Sequence, residues 1–146
     1  MCGRYTQTQS GEAIASAFSL DTSQSGLPSP PVRYNIAPTQ PVSAIAQPSA
    51  QREYRIFQWG LIPSWTKDPS IGSRMINARA ETVAEKPSFR TAFKRRRCLI
   101  VADGFYEWKK AEVQKAGQRS AEKTKSKKQP YYMKVCTFCN VIYLVH

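Results

Sequence analysis

The sequence lacks an apolar run of membrane-spanning length. Its longest, Cys98–Ala102 and Val141–Val145, hold five residues each, where a bilayer helix needs about twenty. Residues 1–20 also lack the apolar core of a signal peptide, so no membrane partner is expected and the chain reads as intracellular. That means nuclear in a eukaryotic cell, or cytoplasmic and nucleoid-associated in a bacterial one. Histidine occurs once, at His146, and cysteine four times, at Cys2, Cys98, Cys136 and Cys139. Four cysteines in an intracellular context read as reduced thiols rather than a disulfide framework. Cys136-Thr137-Phe138-Cys139 has Cys-x-x-Cys spacing, yet it supplies two of the four ligands of a structural zinc. No metal or cofactor is therefore expected.

Carboxylates are scarce as well: 10 Asp and Glu stand against 22 Lys and Arg, for a net charge of +12 in 146 residues. Such a surface concentrates polyanions, nucleic acid above all. The charge is uneven. Lys109 to Lys128 alone carries a net +6 with little apolar content, which reads as a solvated basic loop that could double as a nuclear-localisation patch. With 41% hydrophobic and 11% aromatic residues, the chain is long and apolar enough for one folded domain.

Ser10 to Phe18 predicts a short helix, with Ser10 as cap, Glu12 in the first turn and Ala13, Ile14, Ala17 and Phe18 on one face. Val42–Ala46 predicts a strand. Arg52–Gly60 alternates as a strand does, placing Arg55, Phe57 and Trp59 opposite Tyr54, Ile56 and Gln58. The bend at 60–65 carries a second tryptophan, Trp65. Aromatics here are most simply core, whereas an exposed one beside a basic surface would stack on an unpaired base. Asn77, Arg79 and Glu81 would share a face if their segment were extended. Thr82–Phe93 predicts helix in two pieces broken at Pro87. Cys98–Ala102 predicts a buried strand, Asp103-Gly104 a turn, and Phe105–Trp108 the returning partner strand. Glu107 then stands among aromatics. A carboxylate there is costly unless paired, and apolar surroundings favour its protonated form, as a general acid near neutral pH requires. Tyr131–Val135 and Val141–Val145 also read as strands.

The first four residues, Met1-Cys2-Gly3-Arg4, carry distinctive chemistry. Removal of the initiator methionine, which a small second residue favours, would leave an N-terminal cysteine. Its α-amine and thiol sit on adjacent carbons. The amine condenses with an aldehyde to a Schiff base, and the thiol closes on the same carbon to form a thiazolidine. With ordinary pKa values of about 7.7–8.0 and about 8.5, both groups have a reactive fraction near neutral pH.

Five segments together resemble the SRAP (SOS-response-associated peptidase) family, which includes abasic-site processing proteins of the YedK and HMCES types. They are Met1-Cys2-Gly3-Arg4, Arg33-Tyr34-Asn35-Ile36-Ala37-Pro38, Trp59-Gly60-Leu61-Ile62-Pro63-Ser64-Trp65, Ile76-Asn77-Ala78-Arg79-Ala80-Glu81 and Ala102-Asp103-Gly104-Phe105-Tyr106-Glu107-Trp108. The resemblance implies an α+β fold, mainly antiparallel strands in a barrel-like arrangement with a few peripheral helices. It also implies a DNA-damage activity: sensing abasic sites in single-stranded DNA and forming a covalent thiazolidine crosslink through Cys2. Carried over by position, it makes Cys2, Glu107 and Asn77 catalytic, with Glu107 moving protons and Asn77 holding the N-terminal cysteine and the sugar. Arg4 and Arg79 would face the DNA backbone, where guanidinium geometry suits phosphate. Trp65 and Pro38 would line the cleft beside the lesion. The partner implied is single-stranded DNA with abasic sites, engaged by a monomer.

The match covers residues 1–135, the N-terminal part of the family domain with the basic loop 109–128, and leaves 136–146 as a tail that does not match. The family pattern continues beyond it through further strands and a His-Arg-Met-Pro motif whose histidine belongs to the active site. His146 is not followed by Arg-Met-Pro and is not assigned that role, so a C-terminally truncated domain is expected. Two other readings fit the same residues: a nucleic-acid-binding fragment without competent chemistry, and a cysteine-dependent peptidase or autopeptidase that removes what precedes Cys2.

Overall fold

The structure is a computed structural model that describes residues 3–110, 128–134 and 141–144. Cys2, most of the basic loop (residues 111–127), Cys136, Cys139 and His146 lie outside the described residues. Among the described residues, eight strands form two antiparallel sheets. In chain order they are β1 (Arg4–Gln7), β2 (Arg33–Ile36), β3 (Pro41–Ala46), β4 (Glu53–Gln58), β5 (Arg97–Ile100), β6 (Gly104–Lys110), β7 (Lys128–Lys134) and β8 (Val141–Leu144). The first sheet has the order β2-β1-β6-β7 and the second β4-β3-β5-β8. Helices α1 (Gly11–Phe18), α2 (Thr22–Ser25) and α3 (Pro87–Arg95) and a 3-10 turn at Pro69–Arg74 complete it. The fold is α+β and mainly antiparallel, as expected. Its described strands make two four-stranded sheets rather than a closed barrel.

Alternation decides the layers. In β3, Val42 and Ala44 point to one side and Ser43 and Ile45 to the other, and all four are buried, so both faces of this strand are covered. Val42, Ala44, Cys98 and Ile100 meet Tyr5 and Ile36 of the first sheet and Trp59 in one core. On the far side, Ile45 and Val101 meet Ile14 and Phe18 of α1. That helix is set by Ser10, whose hydroxyl accepts from the Ala13 N–H at 3.3 Å. Its buried residues are Ile14, Ala15 and Phe18, while Ala17 is exposed, so the apolar stripe sits one residue round from the predicted face. The alternation read for 52–60 holds: Phe57 pairs with Val42 toward the core, and Tyr54 pairs with Ile45 toward α1. In α3, Pro87 takes the first turn, where its missing N–H costs nothing.

The largest departure from the sequence reading is at Asp103-Gly104. No hairpin forms there. β5 pairs with β3 and β8, whereas β6 pairs with β1 and β7, so residues 101–103 carry the chain from one sheet to the other. Asp103 anchors that crossing. Its carboxylate accepts from the Thr6 hydroxyl and from the Thr8 N–H at 2.6 Å, and the Thr8 hydroxyl also donates to it. The Tyr132 hydroxyl lies 3.0 Å from that of Thr6. A Cβ on Gly104 would meet the Tyr132 hydroxyl oxygen at 2.3 Å, so any larger residue there must displace that ring.

Burial raises the Asp103 carboxyl, but the hydrogen bonds from Thr6 and Thr8 outweigh it and hold it below its ordinary 3.8. A carboxyl lowered on folding stabilises the fold above its unfolded value, and that contribution fades as pH falls through the folded one. Asp103→Asn is therefore expected to lower stability at neutral pH by about 2–3 kcal/mol, the scale of hydrogen bonds to a charged group. Urea unfolding at about pH 7 and about pH 3 should show the gap between wild type and variant narrowing in acid. A gap that is constant or wider in acid would assign the anchoring to the side chain's shape rather than its charge.

Candidate functional site

One side chain gathers the loops around the start of β1. Trp59, at the end of β4, is 7% exposed and its ring lies 5.5 Å from that of Tyr5 at 57°. Its indole N–H donates to the Ile76 carbonyl at 2.9 Å. Its backbone N–H donates to the Gln40 carbonyl at 3.0 Å, and its carbonyl accepts from the Thr39 N–H at 2.8 Å. Next along, the Leu61 N–H donates to the Met75 carbonyl at 3.1 Å. Gly60 has φ +138°, and a Cβ there would lie 2.4 Å from the Gly72 carbonyl oxygen, so the two backbones approach as only glycine permits. The Met75–Arg79 segment is thereby tied beside the entrance to β1.

There a depression of about 510 Å³ opens. Gly3, Asn77 and Arg79 share its lining with Arg74 and Lys86, over Val83 and Phe89. Three cations and no carboxylate border it among the described residues, so it favours an anionic or strongly dipolar occupant. Asn77 and Arg79 meet here as the sequence suggested, but not on an extended strand. Residues 77–79 are irregular and residues 80–85 form turns, so Glu81 does not continue a common face. Cys2, which precedes Gly3, lies outside the described residues. Arg74 and Lys86 were not singled out from sequence; their isolated charges became informative only when folding set them beside Asn77 and Arg79.

The other candidates fall into two groups. Arg4, Tyr106 and Tyr132 occupy one register row and so one face of the first sheet. Arg4 donates from Nη1 to Asn35 Oδ1 at 2.9 Å, Tyr106 donates its hydroxyl proton to the Tyr34 carbonyl at 3.2 Å, and the Tyr106 and Tyr132 rings lie 5.1 Å apart. Glu107 is half-buried on the opposite face, the one from which Phe105 enters the core. Its aromatic company is thus Phe105 and, by register, Tyr131, rather than its neighbours Tyr106 and Trp108. Antiparallel pairing of Arg4 with Tyr106 runs the chain toward Glu107 as it approaches Gly3. Pro38 is half-buried in the loop held by Trp59, and Trp65 is 61% exposed on the following bend. Neither lines the depression.

Fold and site together define the class: an α+β protein of two antiparallel sheets with a cationic depression at the entrance to its first strand. The chain belongs to the SRAP family, for the model of SOS response associated peptidase matches residues 1–141. It is 44% identical over 113 residues to the abasic site processing protein YoaM of Bacillus subtilis, covering 77% of this chain and 49% of that protein. To the abasic site processing protein YedK of Escherichia coli it is 33% identical over 112 residues, covering 75% and 49%. Among solved structures, a protein from Bacteroides thetaiotaomicron is similar at TM-score 0.64 and 26% identity, covering 92% of this chain and 55% of that one. A phage-related protein from Bordetella bronchiseptica gives 0.63 and 27%, covering 90% and 54%. The chain spans about half the length of the curated relatives it matches.

Trp59→Phe keeps a six-membered aromatic ring but removes the fused five-membered ring with its N–H donor and leaves the Ile76 carbonyl unmatched. The expected loss is about 1–3 kcal/mol, read as a lower denaturant midpoint at unchanged slope. A midpoint equal to wild type would mean that the ring contact with Tyr5, not the hydrogen bond, ties the segment down.

Proposed function

We propose that this chain acts in DNA damage by capturing abasic sites in single-stranded DNA through a thiazolidine formed at Cys2 after Met1 is removed. The observation that carries this reading is the cationic depression shared by Gly3, Asn77 and Arg79, in a family whose similar members are named abasic site processing proteins. An abasic sugar opens to an aldehyde. The Cys2 amine adds to the aldehyde carbon and water leaves, giving a Schiff base. The thiol sulfur then bonds to the same carbon as the C=N double bond becomes single, and the thiol proton passes to nitrogen. One water is released overall and nothing is oxidised or reduced.

Each remaining residue has a part in this reading. Glu107 moves the protons that dehydration and ring closure require. Asn77, in the depression, holds the sugar and the N-terminal amine by hydrogen bonds. Arg79, with Arg74 and Lys86, receives phosphates, and Arg4 does so on the adjoining face. Trp65, exposed on its bend, stacks on a base next to the lesion, with Pro38 wedging beside it. The protein acts as a monomer, inside the cell where its DNA is. A second reading, non-covalent binding of nucleic acid, is favoured by the charge of +12 and differs in making no bond that survives denaturation.

An oligonucleotide with one abasic site, incubated with the protein and run on a denaturing gel, separates the two. A shifted band from wild type and none from Cys2→Ala is expected; no band from wild type leaves only the binding module. Glu107→Gln should slow band formation by on the order of 10²-fold or more, the usual scale of general acid–base loss. Intact-mass analysis should show Met1 absent, since a retained methionine blocks the amine.

A further inference from the structure

A second depression, of about 440 Å³, lies at the other end of α3. Lys94 and Arg95 from the last turn of α3, Arg97 from the start of β5 and Arg52 border it, with Gln47 and Ser49 as neutral hydrogen-bonding groups. No carboxylate is among the described residues of its lining. Cations in the last turn oppose the helix dipole, which accounts for Lys94 and Arg95. It does not account for Arg97, for Arg52, which already donates to the Phe18 carbonyl at 3.0 Å, or for the two neutral side chains beside them. Four positive charges held within one concavity repel one another unless an anion sits between them.

Helix α3 joins the two depressions. Lys86 and Phe89 border the first, and Lys94 and Arg95 the second. Ala92 is buried and Phe89 and Phe93 half-buried, while Lys86, Arg90 and Lys94, four residues apart, are exposed. That spacing puts the three cations in one row along the outside of the helix. At 1.5 Å per residue the row is about 12 Å long, which spans about three to four nucleotide steps of a strand stacked at 3.4 Å per step.

We propose that the Lys94–Arg95–Arg97 depression is a second phosphate site, holding the backbone of the same nucleic acid strand three to four nucleotides from the one seated beside Asn77 and Arg79. The row along α3 is the track between them. This rests on the first depression being a nucleic-acid site, and the test separates the two ideas. Binding is measured by fluorescence anisotropy in a Cys2→Ala background, with and without Lys94→Gln/Arg95→Gln/Arg97→Gln. The probes are single strands of about two and about twelve nucleotides with an abasic site, because two nucleotides, even unstacked, are too short to bridge about 12 Å. For the longer strand, the slope of log K against log salt should fall by about 2, three contacts at about 0.7 each. The shorter strand should bind equally to both proteins. An unchanged slope, or an equal loss for both lengths as a diffuse field would give, overturns the proposal. A crosslink from wild type with an unchanged variant slope would sink the second site and leave the first. A length-dependent slope with no crosslink would keep both depressions as non-covalent contacts with the strand and sink only the thiazolidine chemistry.

Discussion

The bond from the Trp59 indole N–H to the Ile76 carbonyl is the contact on which the rest of the site depends. It joins the buried tryptophan just past the end of β4 to a segment with no regular structure of its own. A buried indole N–H without a partner is costly, so the tryptophan cannot fill the space beside Tyr5 unless Ile76 is in place. The neighbouring backbone repeats the constraint through Leu61 and Met75, and the close approach of Gly60 and Gly72 leaves no slack. Asn77 and Arg79 follow directly. Their position is thus inherited from the hydrophobic core rather than from a helix or strand of theirs.

Asp103 plays the corresponding part at the other side of the first sheet. It sits where the chain leaves β5 for β6, and its three hydrogen bonds to Thr6 and Thr8 pin that crossing against β1. Burying a carboxylate among hydroxyls and an N–H is favourable only with this geometry satisfied. The crossing therefore fixes which face of β6 meets the core. Phe105 and Glu107 turn inward and Tyr106 and Trp108 outward as a consequence, not as a choice written in those four residues.

Several elements were legible from local pattern alone. Helix α1 follows from Ser10 and the spacing of Ile14 and Phe18, β4 from the alternation at 53–58, and the start of α3 from Pro87. Each depends on neighbours within one or two turns. Elsewhere the same kind of reasoning misled. Asp-Gly is favourable in a tight hairpin, but the Asp103 side chain found better partners in Thr6 and Thr8, residues nearly a hundred positions away. The 76–81 segment alternates polar and apolar residues like a strand, yet its Ile76 carbonyl accepts from the Trp59 indole and its Arg79 carbonyl from the Thr82 N–H of a turn, instead of joining a ladder. Trp59 and Trp65 look equivalent in sequence, and only one of them has a buried acceptor within reach.

By itself the sequence determined which groups are present: a cysteine at position 2, a carboxylate at Glu107, an amide at Asn77 and a large positive charge. Its five segments also sufficed to recognise the family, because they reflect residue identity and order. Tertiary structure decided which sheet each strand joins, which face Glu107 takes, and that Arg74 and Lys86 stand with Asn77 and Arg79 around one depression. Those outcomes rest on hydrogen bonds and packing between residues far apart in the chain. Periodicity carries no information about such distant partners, because it reports only which side of its own element a residue occupies.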